Sequence, residues 1–87
     1  GVIVSGDVLV HALCRGSLAL PPLRPGKIVS VFSWGGPARG VSLKGLKYPL
    51  AGATLAADSA LGVSNEALGL PIRVSVEEGV LLVVLPR

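Results

Sequence analysis

Reactive side chains are what this chain lacks. A single cysteine, Cys14, and a single histidine, His11, among 87 residues exclude an intrachain disulfide, a cysteine-rich metal site and a histidine-based triad of the chain's own. The carboxylates number only five, Asp7, Asp58, Glu66, Glu77 and Glu78, and they do not group as a set of metal ligands, so no catalytic residue and no metal site is assigned. Phe32, Trp34 and Tyr48 are the only aromatics, a poor stacking platform for single-stranded nucleic acid. Apolar runs such as Val80 to Leu85 fall far short of the roughly 20 residues that cross a bilayer. No signal-peptide pattern is visible, and with one thiol there is no argument for an oxidising compartment. A soluble, cytoplasmic chain is the expectation, without membrane or nucleic-acid partners.

What is present is aliphatic. The apolar fraction is 51%, against 15% charged residues and a net charge of +3 spread along the chain from Arg15 to Arg87. That balance permits an anionic partner without demanding one. Residues 1–87 make one domain, and a chain of this length hides only about 60 to 65% of its unfolded surface. So many apolar side chains exceed what one small core needs. Either a second domain or subunit covers the excess, since contiguous apolar patches mark contacts, or the excess simply over-stabilises the core.

β-Branched residues come in bursts separated by Gly and Pro, the pattern of an all-β domain. Val8–Cys14 and Ser17–Leu20 suit strands, the second stopped by Pro21-Pro22. Pro25-Gly26 is a turn before Lys27–Trp34, where Ile28, Ser30, Phe32 and Trp34 share one face and Lys27, Val29, Val31 and Ser33 the other. Ala38–Tyr48 can supply an extended segment bent at Gly40 and Gly45. Ala51–Leu61 is ambiguous between helix and extended structure and is taken as extended or irregular. Ile72–Val76 and Val80–Leu85 flank Glu77-Glu78-Gly79, which predicts a hairpin. The sum is an antiparallel β-sandwich, jelly-roll-like, of seven to eight short strands.

The polar chemistry concentrates in two places, Gly45-Leu46-Lys47-Tyr48-Pro49-Leu50 and Ser64-Asn65-Glu66. Tyr48 offers a flat ring with a polar tip, which suits stacking on a heteroaromatic ligand or plugging a sheet edge. Pro49 restrains the backbone of Tyr48 toward extended conformations. Lys47, facing the other way in an extended segment, meets a phosphate or merely solvent. Ser64 and Asn65 together can satisfy ring nitrogens and an exocyclic amine, or they can make a turn. Glu66 anchors an amino group or caps that turn. His11 has no nucleophile or carboxylate beside it and suits a strand position. Trp34, beside Gly35-Gly36-Pro37, suits core or interface. Gly35-Gly36 lacks the Lys and Ser/Thr of a phosphate loop.

Taken together, Gly45 to Leu50, Ser64 to Glu66 and the run Val74-Ser75-Val76-Glu77-Glu78-Gly79-Val80-Leu81-Leu82-Val83-Val84 resemble the C-terminal thiamin-binding domain of thiamin pyrophosphokinase. Gly26 to Val31 and Gly40-Val41 fit the same pattern. The resemblance implies a β-sandwich that follows an N-terminal α/β domain, in an enzyme that moves a diphosphoryl group from ATP to the thiamin hydroxyl with Mg2+. The ATP and metal carboxylates would belong to that other domain, which these 87 residues do not contain. It implies a homodimer with its site between the sandwich of one subunit and the α/β domain of the other. It also implies that Ser64 and Asn65 lie at the thiamin pyrimidine, with Tyr48, Lys47 and Glu66 on or near the same cleft. Residues 1–24 match none of these motifs.

Two other readings compete: a small basic barrel that binds nucleic acid, and a structural or oligomerisation sandwich without a ligand. Phosphoryl transfer depends on positioning and charge stabilisation, so a sandwich that only holds the acceptor is not expected to turn over alone. Purified by itself, the chain is expected to form no thiamin diphosphate from ATP and thiamin, and a coupled assay that detects product would refute this.

Overall fold

Three long β-branched runs become three long strands. In the computed structural model, which describes residues 2–6, 8–56 and 63–86, the elements are β1 (Val2–Ser5), β2 (Val8–Leu20), β3 (Ile28–Lys44), β4 (Leu50–Leu55), β5 (Val63–Glu66) and β6 (Ile72–Pro86). All pairings are antiparallel, in the order β1-β2-β6-β3-β4, with β5 also on β3. The all-β antiparallel architecture is therefore the one that the sequence predicts. The strands number six among the described residues, where seven to eight short ones are expected, because the glycine signals bend strands without ending them.

Each long strand bends once near its middle. β2 carries a bulge at Arg15, which has φ 48°. β3 bends at Gly35-Gly36-Pro37, and β6 bends at Gly79, with φ 92°. The predicted hairpin at Glu77-Glu78-Gly79 does not exist: β6 continues through it as one bent strand. Val76 and Val80 are already committed to other strands, Val76 to Gly16 and Val80 to Cys14 and Trp34, so the two halves of β6 have no free edge with which to pair each other. A positive φ at Gly79 supplies the bend of a continuous central strand.

Bending turns one sheet into a sandwich. The first halves of β2 and β3 with the second half of β6 form one leaf, and the remaining halves form the other. Val29, Val31, Leu81 and Val83 from the first leaf meet Val41, Leu43, Ile72 and Val74 from the second in a single core, each 1% exposed or less. β5 then closes one side. It pairs with Ile28–Val31, and its end reaches the second leaf through the Lys47 N–H on the Glu66 carbonyl (3.0 Å) and the bridge between Leu46 and Ala67.

The strand alternation leaves two contrasting outer faces. That of the first leaf is apolar, with Val10, Val84, Leu82, Phe32 and Trp34 in neighbouring rows. Trp34 is 66% exposed and Ile28 51%, so Trp34 is not core. On the second leaf the outer face is polar, with Ser17, Ser75, Ser42, Arg73 and Lys44. Of the ambiguous Ala51–Leu61 stretch, residues up to Leu55 extend as β4, and residues 57–62 lie outside the described residues.

A side chain at Gly79 would meet the Pro37 carbonyl oxygen at 2.5 Å in addition to the strain of the positive φ, whereas one at Gly26 (φ 90°) would meet nothing within 4 Å. Gly79→Ala is expected to lose about 2 kcal/mol and Gly26→Ala about 1 kcal/mol, read by urea denaturation. Equal losses would deny the close approach at the bend.

Candidate functional site

The site is built where β3 stops. Gly45 turns the chain with φ 81°, and only glycine fits, because a Cβ there would run into the Pro71 carbonyl oxygen. Leu46 then dives into the core at 3% exposure and bridges Ala67. Between that anchor and Pro49, the residues Lys47 and Tyr48 are held at the surface, Tyr48 being 55% exposed. The bend at Gly45 is one that the sequence predicts, but beyond it Lys47 and Tyr48 do not continue as extended strand. Lys47 and Tyr48 accordingly do not face opposite ways: the Lys47 Nζ stands 5.4 Å from the Tyr48 ring centroid.

Asn65 fixes this segment. Its carboxamide oxygen accepts the N–H of Tyr48 (2.8 Å) and of Glu66 (3.0 Å), while its amide nitrogen donates to the Tyr48 carbonyl (2.6 Å). One side chain thus pairs with both backbone groups of Tyr48, as a neighbouring strand would. Both lone pairs of its oxygen are used, and the residue is 1% exposed. Opposite Val29 in the register, it lies on the inner side of β5.

Ser64 and Glu66 lie on the other side, across from Ser30 and Ile28. The sequence treats Ser64 and Asn65 as two halves of one polar contact, but strand alternation separates them. The outer side instead gathers Ser64, Glu66, Lys47 and Tyr48. Lys47 and Glu66 approach to 3.7 Å with both side chains substantially exposed, a pairing of small energetic weight. The Tyr48 side chain, and after it the Glu66 charge, raise the Lys47 pKa above its ordinary value, so Lys47 stays cationic through the physiological range. Whatever stability this adds is complete below the ordinary lysine pKa and fades as pH rises through the raised one.

Next to this edge lies a hollow of about 420 Å3 whose lining includes Val8, Ile28, Ser30, Val84 and Pro86, within the range of small-molecule sites. Ile28 and Ser30 are the very residues opposite Glu66 and Ser64. Their alternation with Phe32 and Trp34 is visible in the sequence, yet nothing in it says that this face stays open. Among the described residues, no group of three or more His, Cys, Asp or Glu side chains is placed to hold a metal ion. No helix among them is long and apolar enough to cross a membrane.

Comparison with known proteins agrees with the fold. The sequence model of the family described as thiamin pyrophosphokinase, vitamin B1 binding domain, matches residues 18–81. The chain belongs to that family. Solved thiamin pyrophosphokinases share the fold: that of Bacillus subtilis superposes with a TM-score of 0.85 at 19% identity over 98% of this chain, and that of Geobacillus thermodenitrificans with 0.86 at 23% over 99%. A thiamin pyrophosphokinase family protein of Enterococcus faecalis gives 0.71 at 17% over 93%. This vitamin B1 binding domain spans about 40% of the length of the first two. No curated protein sequence matches it.

Asn65→Ala would strand the Tyr48 N–H and carbonyl and the Glu66 N–H together. It is expected to lose about 3 kcal/mol and, more tellingly, to remove hydrogen-exchange protection from the Tyr48 amide while the amides of Val31 and Val83 keep theirs. Uniform loss of protection, or none at Tyr48, would mean that the clamp is not local.

Proposed function

We propose that this domain holds thiamin for diphosphoryl transfer, presenting the acceptor hydroxyl to a nucleotide and Mg2+ carried by an N-terminal α/β domain. The observation that carries the reading is the exposed Tyr48 ring on a segment tied through both of its backbone groups to Asn65, in a chain of the vitamin B1 binding family. A preorganised, exposed aromatic suits a flat heterocycle, since little freedom is lost when the ligand arrives. Ser64 donates to a pyrimidine ring nitrogen. Glu66 accepts from the exocyclic amine. Lys47 holds Glu66 in place and faces the phosphoryl side with its charge. Asn65 acts by positioning Tyr48, and its one remaining amide proton is all that it has left for a ligand.

The contribution of these residues to catalysis is orientation. None of them is placed for acid-base work, and the metal and ATP belong to the partner domain. The apolar outer face of the first leaf supports the remaining part of the reading, a homodimer whose second copy covers Val10, Leu82 and Trp34, for so much exposed apolar surface in adjacent rows marks a contact. A single, exposed, unpaired thiol at Cys14 suits a cytoplasmic setting.

In the chain joined to its α/β domain, calorimetric titration with thiamin is expected to show binding that weakens about tenfold, roughly 1.4 kcal/mol, in Tyr48→Ala and in Ser64→Ala. Absence of binding heat in the folded protein would sink the proposal. Trp34→Glu, at an exposed position, is expected to shift sedimentation from dimer to monomer without loss of fold, and an unchanged sedimentation coefficient would remove the dimer face.

A further inference from the structure

We propose that the outer face of the second leaf carries a separate anion site, for a small solute bearing a phosphate dianion, formed by Ser42 and Lys44 of β3 with Arg73 and Ser75 of β6. The register sets Lys44 directly opposite Arg73 and Ser42 directly opposite Ser75, so all four side chains leave the sheet on one side. These four, and no others, line a hollow of about 140 Å3. That is room for a phosphoryl group but not for a base and sugar, which occupy sites of about 300 Å3 upward.

The electrostatics point the same way. Like charges directly across an antiparallel pair repel and weaken the sheet, yet neither cation has a carboxylate partner: the one ion pair among the described residues joins Lys47 to Glu66. The carboxylates nearest along β6 stand at the far end of the strip, Glu77 over Gly40 and Glu78 opposite Arg39, with the serine row in between. An anion seated between Lys44 and Arg73 turns that repulsion into attraction, and a dianion matches two cations. The hydroxyl of Ser42 already accepts the Gly52 N–H at 3.1 Å. With one lone pair of its oxygen engaged there, its proton is available to donate to an anion. Ser75 adds a second donor opposite. Arginine, lysine and two hydroxyls around one small hollow make a phosphate-binding set. This site does not depend on the thiamin reading.

The test is an amide-resolved NMR titration of the labelled chain with inorganic phosphate, against sodium chloride at matched ionic strength. Saturable shifts are expected at residues 42–44 and 73–75, with affinity about tenfold weaker in Arg73→Gln and in Lys44→Gln and unchanged in Arg24→Gln, an exposed cation outside the hollow. Because removal of one cation relieves repulsion in the empty site, Lys44→Gln is also expected to raise Tm in phosphate-free buffer and to lower it relative to the parent in phosphate. Non-saturating shifts, an identical response to chloride, or variants that titrate like the parent would overturn the proposal. Binding to vesicles containing phosphatidic acid with no response to inorganic phosphate would overturn the assignment to a solute.

Discussion

The closure of the sandwich rests on one carboxamide. β5 hydrogen bonds along one side to the first leaf, but on its other side the second leaf offers no strand, only the bend Leu46–Tyr48. Asn65 supplies the missing edge by pairing with both backbone groups of Tyr48, and the Lys47 N–H on Glu66 continues the ladder by one bond. An asparagine can do this because its side chain carries the donor and acceptor of a peptide group in one plane. In the buried setting an unpaired group would be costly, so the same bonds that close the fold also fix the direction in which Tyr48 leaves it. Structure and site share one constraint.

The bends distribute the chain's chemistry. Because β2, β3 and β6 each cross from one leaf to the other, a single strand has an apolar outer half and a polar outer half. β6 presents Val80, Leu82 and Val84 on one leaf and Arg73 and Ser75 on the other. This explains how a chain with few charges still separates an apolar surface suited to a protein partner from a polar surface suited to small anions. The buried inner positions of β2, β3 and β6 are aliphatic, with Asn65 of β5 the buried polar residue beside them, and their burial holds the two leaves together whatever the outer faces do.

Much of this is legible in the residues. Alternation over Ile28–Trp34 gives the correct face for Val29 and Val31, and the bursts of Val, Leu and Ile announce an all-β antiparallel domain. The breaks are misread for a physical reason: Gly79 with a positive φ serves a hairpin turn and a mid-strand bend equally well, and only the partners of Val76 and Val80, distant in sequence, decide between them. The polar cluster is legible in part: Lys47 approaches both Glu66 and the Tyr48 ring, and Ser64 lies on the same side of β5 as Glu66. Its internal arrangement is not. Asn65 has the composition of a ligand contact, but strand parity sends it inward, and whether an asparagine faces a ligand or a backbone depends on a register that no local pattern contains. The hollow beside Ile28 and Ser30 is hidden likewise, since openness is a property of what fails to cover a face.

The measurement that reaches furthest is intermolecular NOE spectroscopy of thiamin bound to the chain expressed in fusion with an α/β domain. The expected result is contact from the ligand's ring protons to Tyr48, Ile28 and Ser64, on the outer side of β5, with the Asn65 side-chain amide still bonded to the Tyr48 carbonyl. Contacts to the inner side of β5, or an Asn65 amide that leaves Tyr48 to face the ligand, would contradict the claim that Asn65 holds the site and Tyr48 and Ser64 present it.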